Sequence, residues 1–348
     1  MEDVSKRKLS RRTLLAGFLL STGILFFAVP VATFLYHAPA PAQAEPEEVY
    51  IEIPRGASLR QTGEILFRSG LINGVEGFVV AGKILFIEHQ IKPGEYSFSR
   101  GMLPVQIISR LREGDVVRYG VTIPEGYSIE QIALLVEEKG LGGAEEFSRL
   151  ARDPEFTAGL GFPGNTLEGY LFPESYFFTK STGMEGIIRA MAEGFQAVFD
   201  EAMESRARAI GMTAHEVVTL ASIIEKETGA PAERKTISSV FHNRLKKRIP
   251  LQSDPTVIYS IPDFDGNLTR RHLKYRSPYN TYVVRGLPPG PIASPGRDAL
   301  LAALYPEDGD YLYFVSRNDG THYFSKTLAE HNRAVDRYQR KRPRKSTS

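Results

Sequence analysis

The segment from Thr213 to Gly229 constrains the chain more than any other, because both of its ends and its buried face can be read directly. Thr213 is placed as an N-cap and Glu216, three residues on, completes a capping box, while Gly229 and Pro231 stop a helix. At about 100° per residue, Leu220, Ile224, Val217, Ala221 and Val218 fall on one apolar arc. Glu225 falls inside that arc, between Ala221 and Val218; Lys226 faces the other way and Glu227 flanks the arc on its other side. A glutamate on an inward face loses hydration, which penalises its charged form and raises its pKa towards the range where a carboxyl can hold a proton near neutrality and release it. That is the profile of a general acid, with Glu225 the candidate and Glu227 its competitor. The structural alternative is that Glu225 sits at the arc's edge and reaches water or an arginine.

The first forty residues bear on the compartment. Lys6, Arg7, Lys8, Arg11 and Arg12 precede an uncharged run from Leu14 to Leu35. As a helix that run would be about 33 Å long, enough to cross a bilayer with its basic flank inside. Pro30 is tolerable in such a span. Two cleaved alternatives compete: Ala42-Gln43-Ala44 has the form of a signal-peptidase site, and Ser10-Arg11-Arg12 loosely that of a twin-arginine signal. The length of the run favours a retained anchor, and hence a single-pass inner-membrane protein with its folded part outside the cytoplasm. His37 to Glu48, rich in Ala, Pro and Glu, is expected to be a semi-extended spacer lifting that part off the membrane.

From Val49 the chain alternates as a strand and then reads Pro54-Arg55-Gly56-Ala57-Ser58 before a helical pattern ending near Gly70; Val121 to Ile123 lead likewise into Pro124-Glu125-Gly126-Tyr127-Ser128. Ser58 and Ser128 are placed as N-caps, so two strand-turn-helix units are implied. The first, closed by the strand-like Gly94 to Phe98, resembles the LysM-like modules that bind glycans; the alternative is a structural α+β unit that binds nothing. Gly77 to Lys83 has the spacing of a phosphate loop, but Ile84 stands where a magnesium-ligating Ser or Thr is required, and the stretch reads as a buried helix.

Thr166 to Phe178 packs five aromatics with Glu168 and Glu174, a composition that suits either the wall of a sugar cleft or a core. Further on, Gln252 and Asp254 precede an apolar run, where they could bond sugar hydroxyls, although capping of a helix opening at Pro255 is the expected role of Asp254. Ser277 to Tyr282 and Gly286 to Gly296 are too rich in Pro and Gly for regular structure and read as a rigid rim. Ser294 and Pro295 then open a helix to Leu304. Tyr311 to Ser325 reads as a hairpin turning at Asn318-Asp319-Gly320, and a capped helix starts at Thr327 with Glu330 at N3.

The blocks Leu220 to Thr228, Leu251 to Tyr259, Ser277 to Tyr282, Gly286 to Ile292 and Glu330-His331-Asn332 resemble, in order, the signature blocks of the MltG (YceG-like) endolytic murein transglycosylases. With the resemblance, the reading is an α+β chain: a cytoplasmic basic tip and membrane anchor helix (1–36), a linker (37–48), a small LysM-like α+β module (49–117), a mixed α/β catalytic domain (118–341, opening with the second strand-turn-helix unit at 118–145) and a disordered tail (342–348). It implies that the first glutamate of the block, Glu225, is catalytic, and that the substrate is nascent peptidoglycan strands, with cell-wall synthases as partners. Gln252, Asn280, Tyr282 and Glu227 are expected to line the cleft. No metal or cofactor is expected, since the seven histidines show no ligand spacing and the absence of cysteine excludes disulfides and thiolate sites. A net charge of +2 with no basic face argues against nucleic acid. Two other readings stay open: a non-catalytic wall-binding protein, and an ordinary two-carboxylate glycosidase using Glu225 with Glu168 or Glu174.

Overall fold

The structure is a computed structural model and describes residues 28–39, 48–227 and 229–340. By internal contacts the chain divides into two compact units. The first runs to Tyr119 and takes back Thr179–Ser181; the second holds Gly120–Phe178 and the chain from Thr182 onward.

In the first unit, helical residues 28–36 (α1) are followed by β1 (Glu48–Ile53), α2 (Leu59–Arg68), α3 (Val75–Ile84), β2 (Gly94–Ser99) and α4 (Pro104–Glu113). The strands pair antiparallel with Ile51 opposite Tyr96. Alternation sends Ile51, Ile53, Tyr96 and Phe98 inward onto Leu59, Leu66, Phe78, Ile107 and Leu111, all buried. Ser58 caps α2 in a reciprocal box with Gln61. The false phosphate loop is a helix, α3, but not a buried one: Phe78, Ala81 and Gly82 face the core while Val80 and Ile84 are exposed.

Most of the run Leu14 to Leu35 lies outside the described residues, as does most of the spacer. Among the described residues no helix is long and apolar enough to cross a membrane. The last turns of the run are not suspended away from the folded part. Val31, Phe34 and Leu35 pack against the first unit's core, and a Cβ on Gly77 would lie 2.5 Å from the Phe34 ring.

The second unit contains β3 (Tyr119–Thr122), α5 (Ile129–Glu138), α6 (Ala144–Ala151), α7 (Pro154–Gly159), β4 (Ser175–Phe178), α8 (Gly183–Val198), α9 (Glu201–Ala209), α10 (Ala214–Glu227), α11 (Arg234–Lys246), α12 (Asp254–Tyr259), α13 (Arg297–Leu304), β5 (Tyr313–Ser316), β6 (His322–Ser325) and α14 (Leu328–Val335). Each sheet among the described residues has two strands, β3 with β4 and β5 with β6 here. This half is therefore mostly helical with two small ribbons, and with the first unit it makes the chain α+β, as the sequence suggested.

The helix α10 is its axis, packed by α9, α11, α12 and α13. Its buried residues run without interruption from Val217 to Ile224, so it is enclosed all round where a one-sided arc was expected. The polar residues this encloses are satisfied. Thr219 Oγ1 donates to His215 O at 2.7 Å, and Ser222 Oγ donates to Thr219 O at 2.7 Å while accepting from Ile292 N at 3.1 Å.

Candidate active site

The ends of α10 follow from its sequence. Thr213 N donates to Glu216 Oε2 at 2.8 Å and Glu216 N donates to Thr213 Oγ1 at 3.2 Å, the capping box expected there. At the other end the chain reaches Glu225 with its side chain only 6% exposed. Its carboxylate is held by two donors from other elements. Gly296 N, at the start of α13, reaches Oε2 at 3.0 Å, and Arg234 Nη2, at the start of α11, reaches Oε1 at 3.1 Å. Both alternatives read from the helix are thus realised together: Glu225 points inward, and it meets an arginine.

Those two facts oppose each other in the acidity of Glu225. Burial raises its pKa and is the largest effect; the Gly296 N–H and the Arg234 charge pull it back, and the Glu125 charge adds to the rise. The carboxyl ends above its ordinary value. Arg234, itself largely buried, also holds Glu125 Oε2 at 3.3 Å and Asp298 Oδ2 at 3.2 Å. Three carboxylates from three elements share one guanidinium, whose planar fork can serve several acceptors at once. Arg234 and Asp298 line a cavity of about 460 Å³ beside this cluster.

Glu227, two residues on, leaves the helix on a different side. It accepts from Ser253 Oγ, and burial, with Asp254 adding and Ser253 and Arg244 opposing, pushes it up to about 7. It lines a second cavity, of about 340 Å³, with Gln252, Asp254, Tyr282, Arg244 and His331. Of the residues expected in the cleft, the structure therefore brings together Glu227, Gln252 and Tyr282. It does not bring in Asn280, which is fully buried. The Asn280 Nδ2 donates to Tyr275 O at 2.7 Å and Leu273 O at 3.2 Å, and its Oδ1 accepts from Tyr282 N at 2.9 Å, so it shapes the loop that carries Tyr282.

Asp254 is not the cap of α12 either. Ser253 occupies the N-cap position without a side-chain capping bond, and Asp254 accepts instead from Tyr282 Oη at 2.6 Å. Gln252 has φ 50°, a left-handed conformation uncommon for a residue with a Cβ, and its backbone N donates to Thr281 O at 3.1 Å. Together these bonds fasten the 250s to the 280s along one wall of the cavity.

The two glutamates proposed as second carboxylates stand elsewhere. Glu168 is buried, accepting from Ile129 N at 3.2 Å and Tyr259 Oη at 3.2 Å; Glu174 is exposed. The aromatic segment around them divides, with Tyr170, Phe172 and Phe178 in the core and Phe177 outside. The carboxylate that does stand beside Glu225 is Glu125, which in the sequence is only one residue of a turn. Its one local signal was the repeat of the Ile-Pro-x-Gly-x-Ser grammar with an acid at x. Arg234 and Gly296 carried no signal at all.

The YceG-like family model matches residues 51–337. The endolytic murein transglycosylase of Bacillus subtilis strain 168 is 35% identical over 306 residues, covering 83% of this chain and 84% of the relative. The endolytic murein transglycosylase of Streptococcus pneumoniae serotype 2 is 29% identical over 323 residues, covering 82% of this chain and 58% of that longer protein. The crystal structure of a yceG-like protein from Listeria monocytogenes, 36% identical, superposes with a TM-score of 0.58 over 82% of this chain and 98% of that one. Glu225, its arginine and the cavity wall beyond it all fall within the matched span, and the chain belongs to the YceG-like family.

Proposed function

We infer that this chain is an endolytic murein transglycosylase: it cuts peptidoglycan glycan strands internally, between N-acetylmuramic acid and N-acetylglucosamine, and leaves 1,6-anhydro ends. Glu225 is the acid and then the base. Protonated, it gives its proton to the glycosidic oxygen as the bond to C1 breaks. As a carboxylate, it takes the proton of the muramic C6 hydroxyl as that oxygen closes on C1, and it is ready for the next bond. No water is consumed, and the attacking hydroxyl is already held at high effective concentration in the same sugar.

The observation that carries this reading is the balance at Glu225. Such a group must be neutral at one step and anionic at the next, so neither form can be strongly preferred. Burial favours the neutral form, while the Gly296 N–H and Arg234 stand ready for the anion. A specific observation favours a second assignment, with Glu227 as the acid: it is the glutamate that shares a cavity wall with Gln252 and Tyr282. Digestion of uncrosslinked strands by Glu225→Gln and Glu227→Gln chains decides between them. The first is expected to release no anhydro-ended fragments and the second to retain turnover with a raised KM; the reverse result transfers the role to Glu227.

The same reading makes the run from Leu14 a membrane anchor whose last turns, with Val31, Phe34 and Leu35, rest on the first unit, the protein an inner-membrane one with its catalytic part outside the cytoplasm, and wall synthases its neighbours. The strand-helix-helix-strand order of the first unit supports a LysM-like module. Its cavity of about 330 Å³ at the Pro54-Arg55-Gly56-Ala57 turn is the place where a glycan chain would lie.

A further inference from the structure

The turn Pro124-Glu125-Gly126 is fixed more firmly than the start of α5 demands. Gly126 takes φ 76°, its N donates to Ser294 O at 2.8 Å, and Ser294 N donates back to Tyr127 O at 2.8 Å. Lys226 Nζ, from the end of α10, donates to Gly126 O at 3.1 Å. So held, the Glu125 side chain lies over Gly296, where an added Cβ would come within 1.8 Å of its Oε1. Gly296 thus makes room for Glu125 by lacking a side chain and holds Glu225 through its N–H. The Glu125 side chain is 46% exposed against 6% for Glu225, which puts Glu125 on the solvent side of the arginine they share.

We propose that Glu125 is a positioning residue for the reaction, drawing Arg234 towards solvent so that its charge is divided and Glu225 can still carry the proton it must donate. This rests on the assignment of Glu225 above. The charged groups around Glu225 are few enough to follow the consequence. Arg234 comes from α11 and Glu125 from the turn before α5; Asp298, from α13, acts through Arg234 Nη1; Lys226, next along α10, is turned to Gly126 O. Take away the Glu125 charge and Arg234 is left to Glu225 and Asp298, which favours ionised Glu225 and drains the acid form as pH rises. The direction agrees with the Glu125 charge adding to the rise already noted for Glu225.

The test compares full-length wild type, Glu125→Gln, Glu125→Asp and Glu225→Gln on uncrosslinked strands, with kcat and KM followed across pH and melting recorded in parallel. For Glu125→Gln the alkaline limb of kcat is expected to move to lower pH, giving a roughly tenfold loss above neutrality and little loss on the acid side. KM and Tm are expected to stay near wild type, and Glu125→Asp to recover part of the limb. A loss that is uniform across pH, an unchanged profile, or a limb moving to higher pH overturns the proposal. If Glu225→Gln is inactive while Glu125→Gln keeps the wild-type profile, only this proposal falls; if Glu225→Gln remains active, the assignment of Glu225 falls and takes this one with it.

Discussion

Glu125 and Glu225 take hydrogen bonds from the same nitrogen of Arg234, Nη2, at 3.3 and 3.1 Å. Two carboxylates on one donor compete for it, so the acidity of the buried one depends on how firmly the exposed one holds on.

Arg234→Gln is expected to push the profile the opposite way from loss of Glu125. Without the guanidinium, Glu225 keeps its burial and the neighbouring negative charges but loses its counter-charge, so its pKa rises further and the alkaline limb of kcat moves up. Breaking a largely buried pair should also cost about 3 kcal/mol of stability, read from denaturant midpoints.

Gly296→Ala separates charge from position. Gly296 has φ −75°, which alanine adopts without strain, and the atoms its Cβ would meet belong to the flexible, half-exposed Glu125 side chain. Stability should therefore change by less than about 1 kcal/mol. The displaced Glu125 should nevertheless give the same shift in pH profile as Glu125→Gln, and kcat measured across pH checks it.

Much of the fold was legible because it is local. The N-caps at Ser58 and Ser128 and the capping boxes at Thr213 and Thr327 each depend on residues only three apart, and all four form. Burial of Glu225 was legible from helical period alone. Its partners were not: Arg234, Glu125 and Gly296 arrive from three other elements, and no period or spacing ties them to position 225. Asn280 and Asp254 were misplaced for the same reason. A polar residue in a loop can bond a ligand or its own backbone, and only the fold decides between them.

Gln252→Gly should split folding from binding. The residue pays for a left-handed φ of 50°, which costs a side-chain-bearing residue about 1 kcal/mol, so glycine should leave stability unchanged or raise it by up to about that amount. If the side chain binds sugar hydroxyls, KM rises severalfold with kcat nearly intact, measured on the same strands.

Glu168 predicts a pH dependence of stability remote from the reaction. Burial raises it from 4.5 to about 7. Because its folded pKa lies above the unfolded one, its contribution is fully present below about 4.5 and is lost as pH rises through about 7. Glu168→Gln cannot ionise and should therefore lessen the loss of stability between pH 5 and 8 by an amount on the order of 2 kcal/mol, seen as a smaller fall in Tm. Thermal melts of both chains across that range check it, and parallel curves would assign the group no such role.

The most direct test of the account is digestion of uncrosslinked strands in heavy-oxygen water, with products weighed by mass spectrometry. If Glu225 uses the sugar's own hydroxyl, the wild-type chain yields ends lighter by one water than reducing ends, with no heavy oxygen incorporated, and Glu225→Gln yields neither. Reducing ends carrying heavy oxygen would contradict the account and make Glu125 and Glu225 the two carboxylates of a hydrolase.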